Sequence, residues 1–140
     1  MKRALIVVLA LLGTVSVASG LSGILLGPEF APGGGPTTAS VDSEYRFTNA
    51  FWLAGGIALW WSLRRPGERA STTRVVLAVA FLGGLARLVS VAAVGWPHPV
   101  FVGTLALELV VVPVIVWWHV RVFDGARRPG ARTPVPDGSA

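Results

Sequence analysis

Four apolar runs, each close to the length needed to cross a hydrocarbon layer, leave this chain few folds to choose from. They cover about residues 4–26, 47–63, 75–94 and 100–120, more than half of the 140 residues. A spanning helix needs about 20 predominantly apolar residues, because each backbone N–H and C=O must be satisfied within the segment once water is gone. The sequence therefore predicts an all-α, integral membrane four-helix bundle over residues 1–122, with an outer loop at 27–46 and a disordered tail at 123–140. Charged residues are 14% of the chain, against roughly 25% in soluble domains. No separate soluble core is left to house a conventional active site.

The punctuation between the runs agrees with this reading. Arg64-Arg65-Pro66-Gly67 stops the second run, Gly95-Trp96-Pro97-His98-Pro99 makes a tight reversal between the third and fourth, and Arg121 and Asp124 close the last. Lys2 and Arg3, then Arg64, Arg65, Arg69 and Arg74, then Arg121, Arg127, Arg128 and Arg132 all fall on one side of the layer. The other side holds only Arg46 among the basic residues, with Glu29, Asp42 and Glu44. The positive-inside rule then predicts both termini in the cytoplasm. Trp60, Trp61, Trp117 and Trp118 mark the inner interface and Trp96 the outer one, as lipid-anchoring aromatic belts do.

The first run also imitates a signal peptide, with the basic start Met1-Lys2-Arg3 and small residues at Ser16-Val17-Ala18. Its hydrophobicity continues through Leu21, Ile24, Leu25 and Leu26, beyond the usual length of such a core, so a retained helix is expected. Gly13, Ser16, Gly20, Gly23 and Gly27 recur at spacings of three and four along it. That stripe predicts a seam where another helix comes close. The following Gly/Pro-rich stretch reads as a connector, and Gly33-Gly34-Gly35 lacks the Gly-Lys-Ser/Thr ending of a phosphate loop.

Several function classes drop out. Without cysteine there is no disulfide, thiolate metal site or cysteine nucleophile. The net charge of +5 comes from arginines flanking apolar runs, the pattern of membrane orientation rather than of nucleic-acid binding. Ser90 has no histidine nearby to activate it. His98 and His119 lie at opposite ends of one run, about 30 Å apart at the helical rise, and both read as interfacial. No catalytic, cofactor or metal site is expected.

Two ionisable residues interrupt the apolar runs. Arg87 lies seven residues before Val94 and Glu108 eight after Val100, so in an antiparallel hairpin both fall about 11 to 12 Å below the outer turn. A charge at such depth costs roughly 2.5 to 3.5 kcal/mol and normally has a partner. An Arg87 to Glu108 ion pair with fork geometry is expected, with Gly83, Arg87 and Ser90 on one face of the third helix and Thr104 and Glu108 on one face of the fourth. Pro113 removes a helical N–H from the Leu109 carbonyl, predicting a kink beside Glu108. Glu44, Arg46 and Asn49, at the outer end of the second run, are candidates to extend the polar cluster, although Arg46 is near enough to the interface to snorkel.

Ser43-Glu44-Tyr45-Arg46-Phe47, Gly83-Gly84-Leu85-Ala86-Arg87-Leu88-Val89-Ser90, Gly95-Trp96-Pro97-His98-Pro99 and Leu107-Glu108-Leu109, in that order, resemble the small bacterial four-span family known as domain of unknown function 4345. The resemblance covers roughly Leu5 to Val122. It implies a compact four-helix membrane unit with a charged inner constellation and singles out Glu44, Arg46, Arg87, Ser90 and Glu108, with no activity to carry over. The glycine-rich first loop and the arginine-rich tail look like additions to the common core. The expected protein is a multi-pass component of the bacterial inner membrane, not an enzyme. It would act as a structural, partner-binding or lipid-interacting bundle, with a homo-oligomer or another membrane protein as possible partner. The alternative is a small proton-coupled transporter using Glu108.

Overall fold

The computed structural model of the protein describes residues 1–124, and every regular element among them is helical. Four helices of 25 residues follow one another: α1 (Lys2–Leu26), α2 (Ala39–Leu63), α3 (Ala70–Val94) and α4 (Pro99–Phe123). A 3₁₀ turn, Pro28–Phe30, follows α1, and α4 contains a π-helical segment at Leu107–Val111. The predicted tail lies, from residue 125 on, outside the described residues, as do Arg127, Arg128 and Arg132.

Local chemistry sets the helix ends. Thr38 caps α2, its Oγ1 accepting from the Val41 N–H at 3.3 Å, and Asp42 lies in the first turn where a negative charge suits the helix dipole. The helix therefore begins eight residues before the apolar run at 47, and much of the expected outer loop is helix. Apolarity marks what suits hydrocarbon, whereas a capped polar turn is equally helical. Gly95, at φ +94°, ends α3 in a conformation most residues avoid. His98 then starts α4, its Nδ1 accepting from the Val100 N–H at 3.3 Å.

The outer surface of the bundle is largely apolar, and several polar side chains are buried. Val7, Leu11, Val79, Leu82, Val89, Val110 and Val114 point outward, while Asn49, Ser62, Thr73, Glu108 and His119 are buried. A soluble bundle turns such apolar side chains inward and such polar ones to water. By length and composition α1, α3 and α4 are able to cross a membrane. The equally long α2 is less apolar, because its first three turns carry Asp42, Glu44, Arg46 and Asn49.

Two different contacts hold the half of the bundle nearer Gly27 and Gly95, and an apolar core holds the other half. Leu5, Leu9, Leu59, Leu77, Val112, Ile115 and Phe123 form that core, near the end where the basic residues cluster. Just outside it, the buried hydroxyls of Ser62 and Thr73 meet at 2.9 Å and tie α2 to α3.

Along α1 and α2, glycines let the backbones approach. A methyl group added at Gly20 would lie 2.5 Å from the Leu53 nitrogen and 2.8 Å from the Asn49 carbonyl oxygen. One added at Gly56 would meet the Gly13 carbonyl oxygen at 2.8 Å. Gly23 faces the Asn49 amide, and the Ser16 hydroxyl donates to the Trp52 carbonyl at 3.0 Å. The small-residue stripe read from the sequence is thus the line of closest approach.

Candidate functional site

Arg87 on α3 and Glu108 on α4 meet. Arg87 Nε donates to Glu108 Oε2 at 3.0 Å, and the guanidinium carbon sits 5.4 Å from the centre of the Phe101 ring. The glutamate side chain is 3% exposed and the arginine 33%. The contact runs through Nε alone, in place of the expected fork. The reason is the approach of the two helices at Gly84. A methyl there would lie 2.9 Å from Glu108 Cβ and 2.9 Å from Leu109 Cδ2, so Glu108 lies against the α3 backbone and reaches the side of the guanidinium.

Gly84 is the residue that reading the sequence missed. It lies three positions before Arg87, and Ser90 three positions after. At about 100° per residue these two are roughly 120° apart around α3, so a helix with Gly84 at the contact must turn Ser90 away. Ser90 is exposed, and no hydrogen bond joins it to the pair among the described residues. The signal for Gly84 was present, since a glycine at this spacing from a buried charge marks a close approach.

Pro113 has a more specific consequence than a kink. The turn around Glu108 widens, and the Val112 N–H bonds to the Leu107 carbonyl five residues back. Such π turns are single-turn insertions, enriched at functional positions, that rotate the residues beyond them relative to those before. Here the π turn carries the one buried acid of the described residues.

Arg46 and Glu44 sit elsewhere. Arg46 Nη1 donates to the carbonyls of Ile24 (2.6 Å) and Leu25 (3.3 Å), and its Nε and Nη2 bond Asp42 at 2.7 and 3.1 Å. A cation at the carbonyl end of α1 satisfies groups that lack intrahelical partners and complements the dipole. Arg46's hydrogen bonds hold the carboxyl of Asp42 below the ordinary aspartate range. Asn49 faces Gly23, its Nδ2 donating to the Tyr45 carbonyl at 2.8 Å. Glu44 is exposed. Arg46, Asp42 and Asn49 serve the α1–α2 seam, and no hydrogen bond links them or Glu44 to Arg87 or Glu108 among the described residues.

His119 corrects the expectation of an interfacial side chain. It is fully buried, its ring 4.7 Å from that of Phe123 and its Nδ1 3.5 Å from Arg74 Nε, and Arg74 Nη2 bonds Asp124 at 2.6 Å. Its Nε2 is buried without a hydrogen-bond partner among the described residues. Val112, Ile115, His119 and Phe123 form one buried stripe at spacings of three and four, the pattern that would have placed it. His98, by contrast, is exposed at the cap of α4. No three His, Asp or Glu side chains come together as metal ligands among the described residues.

Beside Glu108 the four helices line a partly open cavity of about 370 Å³. Its walls are apolar except for Ser16, Thr48, Thr104 and Glu108. Thr104 and Glu108 share a face of α4, as their spacing predicts.

Residues 4–119 match the family described as Domain of unknown function (DUF4345). No curated protein and no solved structure matches the chain.

Proposed function

The chain belongs to the DUF4345 family, and on that premise we propose that it is a non-enzymatic, lipid-embedded structural bundle whose Arg87–Glu108 pair fixes α3 against α4. The observation that carries this reading is that pair: a 3% exposed carboxylate bonded at 3.0 Å by a cation from the neighbouring helix. Truncating one member of such a pair leaves a charge in a dry setting, so the two specify one register between their helices. Two other interhelical polar contacts support the same role, buried Ser62 bonding Thr73 between α2 and α3 and half-buried Arg46 bonding the end of α1.

In this proposal all four helices cross the membrane, α2 included, with both termini on the cytoplasmic side of a bacterial inner membrane. The outward Val and Leu side chains support insertion, and the basic residues flanking the inner ends support the orientation. Arg69 stacking on Trp61 at 3.6 Å and Arg121 on Trp117 at 4.3 Å fit an inner interface. The chain contains no cysteine, which makes the test clean. Single cysteines replacing Gly35 and Gly67 should react with an impermeant maleimide from opposite sides of sealed vesicles. Labelling of both from the same side would overturn the topology.

One observation favours a second reading. Glu108 lines the central cavity as well as pairing with Arg87, the arrangement a proton-coupled transporter using Glu108 would need. Proton flux in proteoliposomes that disappears with Glu108→Gln would favour that reading over the structural one.

A further inference from the structure

The cavity beside Glu108 is more than twice the roughly 150 Å³ that accommodates benzene in an engineered apolar core, and it falls within the range of small-molecule pockets. Among its walls, Val15, Phe51, Val75 and Val79 are each more than half exposed. Val15, Phe51 and Val79 lie within about one turn of the middle of their helices and Val75 in the second turn of α3, so the cavity communicates with the apolar flank of the bundle. A ligand reaching it would come from the hydrocarbon.

The polar groups in the wall select its head group. The Ser16 hydroxyl already donates to the Trp52 carbonyl and the Thr104 hydroxyl to the Phe101 carbonyl. Arg87 hydrogen-bonds only Oε2 of Glu108, while Oε1 lies 3.9 Å from where a side chain at Gly83, itself in the wall, would begin. A carboxylate oxygen is an acceptor, so it calls for a donor and repels an anion. Arg87 already balances the charge of Glu108, so a cationic head would add a buried charge without compensation. A neutral donor fits both conditions.

We propose that this cavity binds a neutral, lipid-soluble hydroxyl compound, an alcohol or phenol with an apolar body, whose hydroxyl donates to Oε1 of Glu108. The site rests on the membrane reading above, because the ligand arrives through the lipid-facing flank. Gly55 supplies the means to close it. A methyl group there would find only Val76 Cγ1, at 3.9 Å, so the wall has room at Gly55 and Gly55→Leu is the substitution that fills the cavity while leaving Arg87 and Glu108 themselves unchanged.

The test is equilibrium dialysis of the full chain in lipid nanodiscs against 4-hexylphenol, its methyl ether 4-hexylanisole, and the cationic 4-hexylbenzylamine, with protein-free nanodiscs as the blank for partitioning. The phenol should bind saturably above the blank and at least about tenfold tighter than the ether, the worth of one hydrogen bond to a charged acceptor. Gly55→Leu should weaken the phenol at least about tenfold while melting no lower than the parent chain. Equal binding of phenol and ether, tightest binding of the amine, absence of saturable excess, or unaltered binding by a folded Gly55→Leu variant would each overturn the assignment. The comparison of the three probes on the parent chain stands even if the variant fails to fold. A chain that labels with the proposed topology but shows no excess phenol loses the site and keeps the membrane reading.

Discussion

The α1–α2 seam and the α3–α4 seam join helices of equal length by opposite means. In the first, Gly20 and Gly56 remove side chains so that backbones touch, Gly13 and Gly23 make room for the Trp60 and Asn49 side chains, and the contact depends on shape. In the second, Gly84 gives close approach at one level, where Arg87 and Glu108 add a charge contact. Close packing and interhelical polar bonds are the forces that join helices in lipid, and the two seams weight them differently: the first adds Ser16 and Arg46 hydrogen bonds to a long close contact, the second rests on one charged pair. A shape seam holds over several turns. A single ion pair fixes one register and fails when either partner is lost.

The largest effect should come from Arg87→Leu, which leaves a 3% exposed carboxylate without its cation. A loss of roughly 3 kcal/mol, the low end for breaking a buried pair, is expected in detergent unfolding experiments. Glu108→Leu should cost less, because the remaining guanidinium is already a third exposed and can turn toward the interface. Equal losses would remove the asymmetry assigned to burial.

Next in size is Gly20→Leu in the shape seam. Its side chain would run into the backbone of Leu53 and Asn49, which moves only if α2 moves, and a loss of about 1–3 kcal/mol is expected. The same substitution at Gly55, on the cavity side of α2, should be close to neutral in the same melts. Similar behaviour of the two glycines would mean that contact distance does not govern the seam.

The smallest effect concerns the polar end of that seam. The carboxyl of Asp42 is held below its ordinary value by Arg46, so the pair's contribution is complete above about pH 4 and fades as pH falls through the lowered value. Asp42→Asn should flatten the acid side of a melting-temperature profile slightly, since both side chains are more than a third exposed. An acid limb identical to that of the parent chain would separate Asp42 from the capping role of Arg46.

The two seams were unequally legible in the sequence. The glycine stripe of α1 could be read because its spacing alone defines a face, and the common height of Arg87 and Glu108 followed from residue counts on either side of a tight turn. Rotation was harder. Counting places Arg87 at a height but leaves open whether Gly84 or Ser90 shares its contact, which depends on the packing angle of α4. Pro113 announced an irregularity without saying that the turn would widen around Glu108. Arg46 was a candidate to extend the charged cluster or to snorkel, since composition does not show that the carbonyls at the end of α1 lie nearer. His119, between Trp118 and Arg121, looked interfacial until its spacing to Ile115 and Phe123 placed it on the buried stripe. The cavity had no sequence signature, because four helices contribute to its wall and only their arrangement creates the space.

The most direct test of the charge seam is a double-mutant cycle on Arg87→Leu and Glu108→Leu, read as unfolding free energy in detergent for the parent chain, both single variants and the double. Direct pairing predicts that the double variant is more stable than the sum of the single losses allows, with a coupling of about 1–3 kcal/mol. Losses that add to within roughly 0.5 kcal/mol would show that α3 and α4 are held together by something other than this pair.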